Sequence, residues 1–298
     1  ADLVIDEVVS LDRDRNVIRT AGGEDFGYNT LVLATGSTPI RPPIPGVDSQ
    51  NVLQVRSYTD LGALREQAAK VRKAVVVGGG YIGVEVAVSL RTMGLQAVIV
   101  ELMPHLLSAT TEPEFIPLVE EELLGKDIDL ELGTKVVEFE TDGERATAVR
   151  LDSGERIEAD LFILAVGVRP NTALAESAGL ATSRFGIVVD EHLRTSDPAI
   201  FASGDCVEKR SFVSGEPTRG EFGTNAVFMS RVVAANLLGR DQTFPGVINA
   251  NATTAFDWAM GGAGLTEAQA RQAGFEVVTG YSEIPDRYPM IDGLNTVR

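Results

Sequence analysis

Several short apolar runs end abruptly at turn residues, and between them the hydrophobic spacing switches from strand to helix period. Leu31–Ala34 stops at Thr35 and Gly36, Leu161–Val166 stops at Gly167, and the run within Thr195–Asp205 stops before Gly204. Continuous apolar runs of this kind suit strands buried on both faces of a parallel sheet. Ala74–Val77 and Ala97–Val100 are two more, separated by a helix-period stretch to Met93 and a helix stop at Gly94. Further helices are predicted from a Thr59 or Asp60 cap to Val71, from Pro113 through Leu123 to Gly125, and over Leu174–Leu180. Two more are predicted from a Thr224 or Asn225 cap to Gly239 and over Thr266–Gln272. Strands or strand pairs are predicted at Leu3–Leu11 with Asn16–Arg19, across Asp129–Phe139, at Ala146–Leu151 with Arg156–Glu158, near Gly186–Val189, and at Ala252–Trp258 and Phe275–Thr279. This alternation specifies an α/β fold with parallel sheets. The cluster Pro39, Pro42, Pro43, Pro45 and Gly46 marks a stiff boundary, and the character changes again after Pro245 and Gly246.

The densest information lies in Val75–Glu101. Gly78, Gly80 and Gly83 stand at Gly-x-Gly-x-x-Gly spacing between the first apolar run and the helix, and Glu101 closes the second run. A dinucleotide-binding strand–helix–strand unit has this layout, with its acid about twenty residues beyond the glycines. Gly78 would allow the tight turn, Gly80 the approach of a pyrophosphate, and Gly83 close packing of helix on strand. Free N–H groups at the helix start would hold phosphate. Three glycines can also form a plain turn, but strand, helix, stop and acid fall together here. Glu101 would accept hydrogen bonds from a ribose diol and repel a 2′-phosphate, and Leu102, Met103 and Pro104 offer no compensating cation. NADH is therefore expected over NADPH, with His105 the nearby residue that could argue otherwise.

Composition narrows the class. The 298 residues, 44% hydrophobic and 23% charged, suffice for two domains and part of a third. A net charge of −17 disfavours nucleic acid and anionic membrane surfaces as partners. The acidic tract Glu112–Glu131 reads as a solvated helix face or a surface for a basic partner. Cys206 is the one cysteine, which excludes an internal disulfide or redox pair and fits a reducing cytoplasm. His105 and His192 lie far apart without ligand-like neighbours, so no metal site is expected. No apolar run has the length of a membrane span, and no signal peptide is visible.

The order of motifs, Ala34–Gly36 (ATG), Gly78–Glu85 (GGGYIGVE), Ala165–Gly167 (AVG) and Ala202–Asp205 (ASGD), resembles the pyridine nucleotide-disulfide oxidoreductase flavoproteins. The stretch Gly264–Gly274 is similar to the start of the dimerisation domain in the NADH oxidase, NADH peroxidase and coenzyme A-disulfide reductase branch. The resemblance implies an NADH-binding Rossmann-like domain at 52–181 inserted into a partial FAD-binding Rossmann-like domain at 1–51 and 182–244. The start of an α+β dimerisation domain would follow at 245–298. In the intact enzyme, a homodimer is implied. By position, Gly78, Gly80, Tyr81, Ile82 and Gly83 would form the NADH fingerprint. Tyr81 would cover the flavin face until nicotinamide displaces it, and Glu85 would sit beside the nicotinamide pocket; core packing for Tyr81 and a surface ion pair for Glu85 are the plain alternatives. Thr35, Gly36 and Gly167 would lie at strand ends near a ligand. Asp205 would bond the ribityl chain of FAD with Gly204 permitting the approach, and the helix carrying Ala226 would point its positive end at the flavin ring.

The same resemblance implies that the first FAD fingerprint and the branch's redox cysteine would precede Ala1, and that a partner-subunit histidine would follow Arg298. No catalytic residue is thereby assigned, and Cys206 is not a substitute. The expectation is NADH-to-FAD hydride transfer serving a disulfide, persulfide, peroxide or oxygen acceptor. The alternatives are an NADH-dependent reductase of a ferredoxin-like protein and a non-catalytic NADH-binding module.

Overall fold

The computed structural model describes residues 2–287 and 295–298. Residues up to Gly264 form one compact unit and Leu265–Arg298 a second. The chain begins with an antiparallel sheet of β1 (Val8–Asp12), β2 (Val17–Thr20) and β3 (Asp25–Gly27). β3 is a short edge strand in which Phe26 alone is half-buried. Next come β4 (Leu31–Leu33) and β5 (Ser37–Pro39), then the proline-rich crossing to β6 (Val52–Gln54).

Helix α1 (Tyr58–Ala68) starts earlier than expected. Ser57, not Thr59 or Asp60, is its cap: the Ser57 hydroxyl accepts from Asp60 N–H, and Asp60 returns the bond to the Ser57 backbone. β7 (Lys73–Val77), α2 (Tyr81–Thr92) and β8 (Gln96–Glu101) follow as predicted. α3 (Ile116–Gly125) leads to β9 (Ile128–Leu132) and β10 (Val136–Asp142). The stretch Asp129–Phe139 thus holds two strands, parted at Gly133, whose φ of +67° turns the chain out of one sheet and into another. β11 (Arg145–Leu151) and β12 (Arg156–Glu158) complete the hairpin, before β13 (Leu161–Leu164), β14 (Val168–Pro170) and the short α4 (Ala173–Ser177).

The centre is a five-stranded, all-parallel sheet in the order β6-β13-β7-β8-β9. Strand alternation gives it two buried faces. Ala74, Val76, Ala97, Ile99, Leu161 and Ile163 face the helices, whereas Val75, Val77, Val98, Val100, Phe162 and Leu164 face the β10–β12 hairpin sheet. Phe162 meets Phe139 of that sheet edge-on, with ring centroids 5.6 Å apart. Burial on both sides explains why these strands read as unbroken apolar runs.

Downstream, β15 (Thr182–Ser183) pairs with β16 (Gly186–Ile187), and β17 (Ile200–Ala202) returns to lie parallel to β4. β18 (Lys209–Arg210) and β19 (Pro217–Thr218) form a small pair ahead of α5 (Gly223–Leu237). Thr224 and Asn225 do not cap α5. Phe222 occupies the cap position without a side-chain bond, and the Asn225 amide donates back to Gly220 O at 3.0 Å. The predicted strand Ala252–Trp258 is a hairpin, β20 (Asn251–Ala255) and β21 (Trp258–Gly262), reversed at Phe256 with φ +51°. In the second unit α6 (Glu267–Gln272) carries the Thr266–Gln269 capping box, and β22 (Ile284–Pro285) pairs with β23 (Thr296–Val297). Phe275–Thr279, expected as a strand, is irregular. The dimerisation segment expected at 245–298 includes 288–294, outside the described residues.

The glycine turn fixes how α2 meets the sheet. A Cβ on Gly83 would lie 1.8 Å from the Gly78 carbonyl oxygen, and one on Gly78, where φ is +109°, would lie 2.5 Å from Ala165 O. A Cβ on Gly80 would meet nothing within 4 Å. Gly83→Ala should therefore force α2 off β7 and cost about 3 kcal/mol. Gly80→Ala should cost under about 1 kcal/mol, the penalty of replacing a glycine cap. Urea unfolding of the two variants checks the contrast; equal losses would refute it.

Candidate functional site

The turn delivers the start of α2 to the C-terminal end of the parallel sheet, where ligands bind in open α/β folds. The first N–H groups of α2 have no intrahelical partners, no side chain caps them, and the backbone at Gly80 has open space beside it. Ile82 is exposed on the same turn. Glu101, at the end of β8, closes the cradle. Its Oε2 accepts from Gly79 N–H at 2.5 Å and its Oε1 from Met103 N–H at 2.7 Å. Each carboxylate oxygen has a further lone-pair site, so both remain able to accept from a diol. The acid thus has a structural duty that spacing alone did not announce. His105 is engaged by Glu120 at 3.3 Å, and Glu120 also accepts from Leu106 N–H at 3.0 Å, so this part of the acidic tract holds the loop after β8. An open cleft of about 550 Å³ lined by Asn51, Lys73, Arg145 and Asp160 lies at the opposite end of β7. It lacks the glycine turn and the helix start.

A second cluster gathers residues far apart in sequence. Gly36, Gly167 and Gly204 all have positive φ, at +67°, +96° and +84°. Asn171 binds the first of them into place: it takes the Thr38 hydroxyl on Oδ1 at 2.7 Å, gives Nδ2 to Thr35 O at 2.8 Å, and its own carbonyl receives the Thr35 hydroxyl at 2.7 Å. Asp205 follows Gly204, whose Cβ position would touch Ala226 of α5 at 3.6 Å. The Asp205 side chain, 13% exposed, accepts on Oδ2 from Ser37 Oγ at 2.9 Å and from Arg56 at 3.0 Å. Thr35, Gly36, Gly204, Asp205 and Ala226 are therefore brought together, and Gly167 immediately precedes β14, the strand paired antiparallel with β5, where its carbonyl accepts from Ile40 N–H at 2.9 Å. Ser37, Arg56 and Asn171 join them without any sequence pattern that marks them. Cys206 is fully buried, its thiol directed at Ser203 O, 3.3 Å away.

Tyr81 and Glu85 both bond to the strand β20. The Tyr81 ring is half-buried against the helix-side core, and its hydroxyl donates to Asn251 of β20. Glu85 accepts from Thr253 Oγ1 at 2.8 Å, a hydrogen bond rather than the ion pair considered as its plain alternative.

The sequence profile described as pyridine nucleotide-disulphide oxidoreductase matches residues 2–230. The chain belongs to this family. It is 37% identical to the NADH oxidase of Methanocaldococcus jannaschii over 279 residues, covering 92% of this chain and 62% of that protein. It is 34% identical to a rubredoxin-NAD(+) reductase of Pseudomonas putida over 239 residues, 80% of this chain and 62% of that one. The structure of an NAD-dependent persulfide reductase from A. fulgidus superposes with a TM-score of 0.93 at 32% identity, covering 97% of this chain and 54% of that one. The chain thus spans little more than half the length of these family members. Among the described residues no helix is long and apolar enough to cross a membrane.

One buried charge lies beside the second cluster. Lys209 is 3% exposed, and its ammonium donates to Val207 O at 2.9 Å. Burial holds the ammonium below the usual lysine range, against the opposing pull of Glu221, Asp205 and Cys206. The unfolded chain then binds this proton more readily than the folded one, so stability should rise as pH climbs from the depressed value towards about 10.4. Lys209→Met should match or exceed the parent stability at pH 7 and lose that part of the rise. Urea unfolding of both proteins at pH 7 and pH 10 measures it; a variant with the parent's pH slope would contradict the assignment.

Proposed function

We propose that the chain is the cofactor-binding part of an FAD- and NADH-dependent oxidoreductase. The observation that carries this reading is the cradle itself: an uncapped helix start, a Cβ-free approach at Gly80, and Glu101 held by Gly79 N–H at 2.5 Å. NADH would occupy it, with phosphates on the α2 N-terminus and the adenine ribose on Glu101. FAD would be held by Thr35, Gly36, Gly204 and Asp205, with Arg56 and Ser37 steadying the Asp205 carboxylate and the start of α5 near Ala226 facing the flavin. α5 has no side-chain cap, so its positive end is free to favour negative charge on a ring placed there. Gly167 would close the approach between the two sites. Tyr81 would screen the flavin and Glu85 orient the nicotinamide.

The domain limits follow the same proposal: 52–181 for NADH, 1–51 with 182–244 for FAD, and 245–298 opening a dimerisation domain. Two features support the insertion. The five parallel strands all lie between Val52 and Leu164, while β4 and β17, on either side of that segment in sequence, pair with each other.

When both cofactors are bound they supply hydride transfer from NADH to flavin and onward to an acceptor. A disulfide, persulfide, peroxide or oxygen acceptor in a cytoplasmic homodimer is the proposed setting. A reductase of an iron–sulfur or rubredoxin-like protein is the second reading, favoured by the 34% identity to the rubredoxin-NAD(+) reductase. The absorbance spectrum of the purified protein, followed by anaerobic NADH titration, tests the proposal. Bleaching of a bound flavin is expected; a colourless protein that binds NADH would instead mark a binding module. Glu101→Arg should move the ratio of NADPH to NADH affinity upward by about tenfold or more, the worth of one charge-assisted hydrogen bond. An unchanged ratio would remove Glu101 from the ribose site.

A further inference from the structure

One strand outside the two cofactor clusters grips both of the functional side chains on α2. Tyr81 and Glu85 are one helical turn apart and share a face of α2. Asn251 and Thr253, two residues apart, share a face of β20. The Tyr81 hydroxyl donates to Asn251 Oδ1, and Thr253 donates to Glu85 Oε1 at 2.8 Å. Neither strand residue is loose: Asn251 Nδ2 donates to Asn249 O at 3.0 Å, and Thr253 is 5% exposed. The hairpin is fastened at its turn, where Lys126 at the end of α3 pairs with Asp257 at 3.0 Å and lies over the Phe256 ring. Ala255, Phe256 and Met260 seat it in the helix-side core.

We infer that β20 positions the nicotinamide entry: Asn251 latches Tyr81 shut, and Thr253 holds Glu85 ready. The inference rests on the roles proposed above for Tyr81 and Glu85. The two bonds act with opposite sign. If nicotinamide enters only when Tyr81 swings away, the Asn251 bond must break on binding, and the latched population lowers the apparent affinity. The Thr253 bond survives binding and spares Glu85 the loss of rotamer freedom, so it raises affinity. Both residues are positioning residues that act through α2.

Calorimetric titration of the FAD-loaded protein with NAD+, which does not reduce the flavin, and with ADP-ribose, which lacks the nicotinamide, separates these effects. Tyr81→Phe keeps the ring and removes the donor; it should bind NAD+ about three- to tenfold more tightly, the equivalent of one net hydrogen bond. Asn251→Ala should do the same, and the double variant should gain nothing more. Thr253→Val should weaken NAD+ binding by a similar factor. ADP-ribose affinity should stay constant throughout. A silent Tyr81→Phe, additive gains, or parallel changes with ADP-ribose would overturn the latch. If the parent protein fails to bind ADP-ribose, the glycine cradle reading falls and takes the latch with it; if ADP-ribose binds and the variants are silent, the latch alone fails.

Discussion

Helix α2 can sit on the parallel sheet only because no side chain stands between Gly83 and the Gly78 carbonyl. Three chain segments meet there backbone to backbone, since the Ala165 carbonyl presses against Gly78 from the end of β13. Such a contact leaves no room to slide, so the helix start is fixed relative to the ends of β7, β8 and β13. Glu101 completes the arrangement from β8 by tying the Gly79 N–H to the loop after its own strand. The polar cradle is therefore a by-product of the close backbone contact beneath it.

The second cluster depends on a different device, polar side chains that bridge long sequence separations. Asn171 organises the backbone from Thr35 to Thr38, and Arg56 and Ser37 converge on one oxygen of Asp205. Arg56 stands between β6 and the α1 cap, so the ion pair joins the strand entering the five-stranded sheet to the loop that leaves β17. The Asp205 side chain is 13% exposed and that of Arg56 45%, so the pair stands at the rim of the cluster with its cation towards solvent.

Features set by local chemistry were legible in the sequence. Apolar runs ending on glycine became parallel strands, and Gly94 and Gly239, at φ of +93° and +74°, stop their helices. Gly78, Gly80 and Gly83 occupy the turn their spacing implied. What stayed hidden was local chemistry that breaks its own rules, or contact between distant residues. Phe256 adopts a positive φ that an aromatic residue rarely takes, so nothing marked the β20–β21 turn. Nothing in the sequence singles out Ser57 as the cap, because Thr59 and Asp60 are comparable capping types two and three residues on. Arg56 beside Asp205, and Asn251 with Thr253 against α2, are pairings across roughly 150 to 170 residues that no periodicity encodes.

The strand order carries a consequence for how the chain reaches this state. β13 lies between β6 and β7, so the sheet stays split until residues 161–164 have been synthesised. The β4–β17 pair waits longer, because its partners enclose the whole of that sheet. Once the inner strands have assembled, they bring Leu31–Leu33 and Ile200–Ala202 towards each other and shorten the effective loop that must close. The inner sheet is thus a folding scaffold for the outer one, and a lesion in the core around Phe162 would be felt first as failure of a distant strand pair to form.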